Sequence, residues 1–384
     1  MSAEKRTEHP EDAEVAAMHP PEKKSKKPIR VFTDGCFDMM HYGHANALRQ
    51  SRALGDVLIV GVHSDEEIRK NKGPPVMKEA ERYKAVRACK WVDEVVEDAP
   101  FAMSMDMMRK LNIDYCVHGD DLIVTADGTD CYAEAKKAGM FRTIPRTKGV
   151  STTDLVGRML LMTKSHHSDG DLEKVKPELA EGPTKSSPYT RLCKFIPTTS
   201  QIVQFAEGRA PKPGDKIGYI AGAWDLFHVG HISVLEKAKE ECDYLIVGVH
   251  DDKVVNKYKG EYHPVANLHE RVLGVLSCKY VDEVVIGAPF VISKEMIAAQ
   301  GIGAVFQGVE SDPVQPDQED PNVFAREMGL MKEITSGSDV TTSVIIERIL
   351  DNRVRYLERN RKKEAKEADA FAAMEAEKAA KASS

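Results

Sequence analysis

Several absences narrow what this sequence can be. Its seven cysteines form no Cys-x-x-Cys pair and are odd in number. That argues against a disulfide framework and for a reducing, cytoplasmic setting. No run approaches the ~18 apolar residues of a membrane span, and the N-terminus is charged, so neither a spanning helix nor a signal peptide is expected. The net charge is −7, without the basic surplus that a nucleic-acid partner would call for. No paired carboxylates and no Ser/His/Asp set offer an obvious general base or nucleophile.

What is present is a short motif that occurs twice: His41-Tyr42-Gly43-His44 and His228-Val229-Gly230-His231. Each follows a strand-like run and opens a helical stretch, so two imidazoles stand one turn apart at a helix N-terminus. Free N–H groups and the positive dipole end there suit phosphate oxygens, and the intervening glycine is expected to let a ligand approach the backbone. One copy would be unremarkable, because histidines spaced i, i+3 often have ordinary surface or core roles. The second copy brings its neighbours with it. Phe37-Asp38 matches Trp224-Asp225, Gly61-Val62-His63 matches Gly248-Val249-His250, and Lys72-Gly73 matches Lys259-Gly260, all at 228 − 41 = 187. The offset grows to 189 for Val92-Asp93-Glu94-Val95-Val96 against Val281-Asp282-Glu283-Val284-Val285, and reaches 190 for Arg158 against Arg348.

A repeat this long, present twice, indicates two whole domains from an internal duplication. Strand-like runs at Val57–Val62, Glu94–Val96 and Tyr115–Val117 alternate with helical patterns at Glu79–Cys89 and Ser104–Leu111. The second half repeats this at Tyr244–Val249, Val284–Ile286 and Ala304–Phe306. The rhythm predicts an α/β fold, a doubly wound parallel sheet in each half, with ligands beyond the carboxyl ends of the strands. The expected domains are 28–165 and 214–356. Around them lie a polar, disordered arm at 1–27 that carries one basic run, Lys23-Lys24-Ser25-Lys26-Lys27, a Pro- and Ser-rich linker at 166–213 with a short helix near Gln201–Ala206, and a polar Ala/Glu/Lys tail at 357–384. The tail has too few large apolar residues to lie in a membrane, so any membrane contact is at most peripheral.

A second cluster closes the first domain: Arg146-Thr147-Lys148-Gly149-Val150-Ser151-Thr152-Thr153-Asp154. Helix capping alone would account for Ser151. Three hydroxyls after Arg and Lys exceed that need and suggest a second grip on phosphate.

These two signatures, with their spacing, resemble the cytidylyltransferases of the His-x-Gly-His nucleotidyltransferase superfamily, and the tandem arrangement resembles the ethanolamine-phosphate branch of that family. The resemblance covers residues ~28–165 and ~214–356. It implies Rossmann-like domains and transfer of CMP from CTP to phosphoethanolamine, giving CDP-ethanolamine and pyrophosphate without a covalent intermediate. It further implies that His41, His44 and Lys72 act on the reacting phosphates and that Arg146, Ser151 and Thr152 hold the departing pyrophosphate. Gly35, Cys36, Phe37, Asp38, His118 and Gly119 would hold the nucleotide, and Lys90, Phe101 and Tyr132 would line the acceptor pocket. Mg²⁺ would arrive with CTP, with no tightly bound protein metal. A phosphomonoester needs no general base, since its second pKa near 6 leaves it largely dianionic at pH 7.

Plainer roles remain open for three of these residues: core packing for Phe101 and Tyr132, and bracing of the turn for Asp38. In the second domain Ser336 stands at the place of Arg146 and Gln307 at that of His118. That domain is expected to bind nucleotide through Ala223, Trp224, Asp225, His228, His231, Lys259, Gln307, Gly308, Ser336, Gly337, Ser338, Thr341 and Thr342, and to be regulatory or a poor catalyst. Alternatives are a transferase for phosphocholine, glycerol phosphate or an ATP-dependent acceptor, and a non-catalytic CTP sensor. A tRNA synthetase is disfavoured by the lack of a Lys-Met-Ser-Lys-Ser run, and a metal site at the histidines by the lack of a third ligand. Oligomeric state, including a homodimer, is left open.

Overall fold

The computed structural model describes residues 27–119, 125, 129–147, 150–161, 202–206, 208–260, 262–309 and 319–358. Most of the expected arm, linker and tail, together with Lys148 and Gly149, lie outside the described residues.

The first repeat forms strands β1 (Arg30–Gly35), β2 (Val57–Val62), β3 (Glu94–Glu97), β4 (Tyr115–Gly119) and β5 (Phe141–Ile144). The second forms β6 (Ile217–Gly222), β7 (Tyr244–Val249), β8 (Glu283–Ile286), β9 (Ile302–Gly308) and β10 (Met331–Ile334). The sheets run in the orders β3-β2-β1-β4-β5 and β8-β7-β6-β9-β10, with every pairing parallel. Helices cover both faces, so inner strands must be apolar throughout. Leu58, Ile59, Val60 and Val62 are accordingly buried, as are Leu245, Ile246, Val247 and Val249. The helices expected near 79–89 and 104–111 are present at Glu79–Arg87 and Met105–Leu111.

In each sheet the chain leaves the central strand to one side, then crosses to the other. The crevice between the carboxyl ends of β1 and β4, and of β6 and β9, is the switch point where such folds bind ligands. Helices Tyr42–Ala53 and Val229–Glu240 begin there.

The repeats also pack on each other. Leu155, Val156 and Met159 of the Thr152–Leu161 helix join Ile345 and Ile349 of the Thr342–Asp351 helix and Tyr356 in one buried cluster. Of the linker, residues 202–205 are helical. There Ile202 packs against the cores of both repeats, and the Phe205 ring meets Trp91 edge-on at 4.9 Å.

Candidate active site

His41 is the N-cap of the Tyr42–Ala53 helix, in extended backbone. Its Nδ1 accepts the Gly43 amide at 3.1 Å, while Nδ1 of His44 accepts the His41 amide at 3.3 Å. A ring nitrogen that accepts carries no proton, so each neutral imidazole has its hydrogen on Nε2 and offers an N–H donor, as a phosphate oxygen requires. The rings stack with centroids 4.0 Å apart. The second repeat copies this device: Nδ1 of His228 and of His231 accept at 3.2 and 3.4 Å, and the rings stack at 3.8 Å. Burial, aided by the Lys259 ammonium, pushes His228 down to about 3 and His231 well below the ordinary imidazole range.

The glycine between the histidines serves another purpose than the one expected. A Cβ on Gly43 would lie 2.9 Å from the Val150 side chain, and one on Gly230 would lie 2.4 Å from the Val340 carbonyl. The space belongs to the chain's own second cluster, not to a ligand. That packing, with Asn46 Nδ2 donating to Thr147 Oγ1 at 2.9 Å and Gln50 Nε2 to Pro145 O at 3.2 Å, holds the Arg146 segment over the histidine helix.

Several expected ligands are internally engaged. Ser151 Oγ caps its helix through the Asp154 amide at 3.0 Å, and the Thr152 hydroxyl donates to the Asp38 carbonyl at 3.0 Å. The Asp38 carboxylate accepts the amides of Val76 and Met77 at 2.8–3.0 Å, so the bracing role applies to it. Asp225 does the same for Val265 and Ala266, both at 2.8 Å; burial works against its charge, but His263, these two amides and Arg271 together hold its pKa below the ordinary carboxylate value. Phe37 and Trp224, at φ 49° and 55°, make matching left-handed turns that send their rings against His44 and His231. The carbonyls of Cys36 and Ala223 accept from the buried guanidinium groups of Arg82 and Arg271.

Near the carboxyl end of β1 the expected Lys72, Phe101, Tyr132 and His118 gather around a carboxylate that the sequence did not single out. Asp34, near the end of β1, is buried, accepts the Tyr132 hydroxyl at 2.5 Å and lies 3.6 Å from His63 Nε2. Burial raises its pKa, against the pull of His63, Tyr132 and Lys72. Phe101 packs beside His63 with centroids 4.9 Å apart, and the Lys72 ammonium lies 5.4 Å from the Phe101 ring. His118, one residue before Gly119 at the end of β4, lies tilted against Tyr132 with ring centroids 5.4 Å apart. Lys90 does not join this group. It precedes β3 at the far end of the sheet, where its ammonium bonds the Phe205 carbonyl in the seam between the repeats.

The second repeat keeps the histidines, Lys259, His250 and Phe290 but loses the rest. At offset 187 Asp34 becomes Ala221, and at offset 190 Tyr132 becomes Asn322. Gln307 Oε1 accepts from Asn322 and Arg326, and Gly308 ends β9 behind it. Ser336 and Ser338 fold into a tight turn on Gly337, with Ser336 Oγ 2.9 Å from the Ser338 amide. Thr341 caps its helix, and the Thr342 hydroxyl donates to Asp225 O at 3.1 Å. The departure from Asp34 to Ala221 was the signal in the sequence that could have marked the buried carboxylate.

A family model described as cytidylyltransferase-like matches residues 32–158 and again 219–348. Ethanolamine-phosphate cytidylyltransferase of Dictyostelium discoideum is 58% identical over 89% of this chain and 96% of its own length. The mouse protein of the same name is 47% identical over 88% of this chain and 90% of its own. Choline-phosphate cytidylyltransferase A of Rattus norvegicus is 44% identical over 35% of this chain and 37% of its own length.

Proposed function

The chain belongs to the ethanolamine-phosphate cytidylyltransferase family, and from that premise we propose that its first repeat transfers CMP from CTP to phosphoethanolamine, releasing pyrophosphate and forming CDP-ethanolamine for phosphatidylethanolamine synthesis. A phosphate oxygen of the acceptor attacks the α-phosphorus in line, and the bond to the β-phosphate breaks with its electrons leaving on pyrophosphate. The protein's part is alignment and charge stabilisation. His41 and His44 donate from Nε2 to the triphosphate, Lys72 neutralises the reacting phosphates, and Arg146 takes the leaving pyrophosphate together with the first turn of the Thr152–Leu161 helix. The observation that carries this is the tie between Asn46 and Thr147, which joins the two phosphate-binding segments into one site.

The ammonium end of the acceptor goes to Asp34, a buried carboxylate walled by Tyr132, Phe101 and His63. Mg²⁺ comes with CTP, its coordination completed by phosphate oxygens and water; the donors around the triphosphate are nitrogen cations and N–H groups, poor ligands for so hard an ion. The second repeat, lacking Arg146 and Asp34, binds nucleotide without competent turnover. Among the described residues no helix is long and apolar enough to cross a membrane. The six cysteines described are free, which supports a cytoplasmic setting. Pyrophosphate release with CTP or ATP against phosphoethanolamine, phosphocholine and glycerol phosphate tests the assignment. Preference for another pair, or no release from any, would overturn it.

A further inference from the structure

Arg158 belongs to the helix whose first turn carries Ser151 and Thr152, yet its guanidinium reaches across to the other repeat. Nη1 donates to Glu270 Oε2 at 2.6 Å and Nη2 to Glu270 Oε1 at 2.8 Å, a two-pronged ion pair, and Nη1 also meets Val265 O at 3.3 Å. Both side chains are largely buried, at 13% and 7% exposure. Within its own helix Arg158 pairs with Asp154, whose amide is capped by Ser151. The pair therefore runs directly into the segment assigned to pyrophosphate.

The far end of this contact is firmly anchored. Glu270 Oε2 accepts the Asn267 amide at 2.9 Å, closing a capping box with Asn267. The next residue, Arg271, is fully buried and donates to Ala223 O, His250 O, Ala266 O and Asp252 at 2.6–3.0 Å. The Leu268–Leu276 helix is thus locked to its own sheet. Arg158 lies 158 − 152 = 6 residues from Thr152, about 9 Å along a stiff helix. A change of direction at Arg158 therefore moves the helix start against the histidine turn.

We infer that Glu270, from the second repeat, is a positioning residue for the reaction of the first, setting through Arg158 the direction of the Thr152–Leu161 helix. The second repeat is then structural completion of the first site, whatever its own nucleotide does. The claim rests on the nucleotidyl-transfer reading above for its kinetic form only.

A mirror pair supplies the control. Arg348 holds Glu81 at 2.7 and 2.8 Å, but there the anchoring carboxylate belongs to the first repeat and the directed helix, Thr342–Asp351, to the second. Glu270→Gln keeps a capping side chain and leaves Arg158 its Asp154 partner, so the protein should fold. In the full-length chain, Glu270→Gln is expected to raise KM for CTP about tenfold and to lower kcat, with KM for phosphoethanolamine within twofold. Glu270→Asp should recover part of the loss. Arg348→Ala should lower the unfolding temperature as much as Glu270→Gln does and leave KM for CTP alone. Unchanged CTP kinetics in Glu270→Gln, or an equal rise in Arg348→Ala, would overturn the inference. Calorimetric titration with CTP reads the same displacement without any acceptor. If wild type makes no CDP-ethanolamine, the reaction assignment fails while the titration still decides the positioning claim.

Discussion

Cys89 and Cys278 face each other in an antiparallel bridge between the repeats, and they are one position counted twice, 278 − 89 = 189. The pseudo-two-fold axis of the chain passes between them. Beside it Lys90 N donates to Ser277 O at 2.9 Å and Lys279 N to Ala88 O at 2.8 Å, each bond the mirror of the other. Burial pushes both thiols up to about 12, so they remain protonated. Cys89→Ser would place a hydroxyl in this apolar seam at a cost of about 1–3 kcal/mol. Denaturant unfolding should show that loss while both KM values stay put. A variant as stable as wild type would show that the seam offers the hydroxyl a partner.

His44→Ala removes a preorganised donor from the reacting phosphates and should cost on the order of 10²–10³ in kcat. His231→Ala should cost far less in rate and instead reduce the CTP bound per chain from two towards one. Steady-state assays paired with equilibrium dialysis separate the two. Equal kinetic damage from both variants would mean that the second repeat takes part in chemistry.

Asp34→Asn neutralises the buried carboxylate yet keeps an oxygen for the Tyr132 hydroxyl. It should raise KM for phosphoethanolamine at least tenfold, equivalent to about 1.4 kcal/mol of lost binding, and spare KM for CTP. Thermal stability should not fall, because a charged group has left the interior. A parallel rise in both KM values would place Asp34 outside the acceptor pocket.

Acid should destabilise the protein through buried neutral histidines. His228 is lowered from 6.5 to about 3 and His269 to about 4, and His63 and His250 shift the same way, chiefly through burial. The unfolded chain binds protons at these positions near pH 6.5 and the folded chain does not, so stability is present above that pH and is lost as pH falls towards 4. Asp34 opposes this: its raised pKa favours the folded state at low pH, a contribution lost as pH rises through it. Urea midpoints measured from pH 7 to pH 4.5 should fall steadily, and less steeply for His228→Asn. A slope unchanged in that variant would remove His228 from the account.

Much of the architecture was legible because it is written in local periodicity. The Val57–Val62 run can satisfy its apolar side chains only when covered on both faces, and its repetition at Tyr244–Val249 made two parallel sheets the economical solution. The histidine pairs were equally plain, since a helix start places i and i+3 together without help from the rest of the chain. Lys90 shows where such inference fails. It follows a helix of the right kind, but its side chain leaves at the amino end of the neighbouring strand, on the opposite rim from the chemistry. Gly43 failed differently, for its missing side chain makes room for Val150, a residue more than one hundred positions away.

The sequence by itself determined that this chain is one domain written twice, which strands and helices each copy forms, and that imidazole, ammonium and guanidinium groups accompany the first copy while the second has lost part of the set. Those are properties of short stretches and of a comparison between them. Only the tertiary structure decided that Tyr132 meets Asp34 across 98 residues, that Ser151, Thr152 and Asp38 spend their side chains on backbone groups, and that Glu270 of one repeat pairs with Arg158 of the other. Such meetings depend on how whole faces pack after the crossover connections close. No local pattern carries that information, because each partner's sequence neighbourhood would read the same if the other were absent.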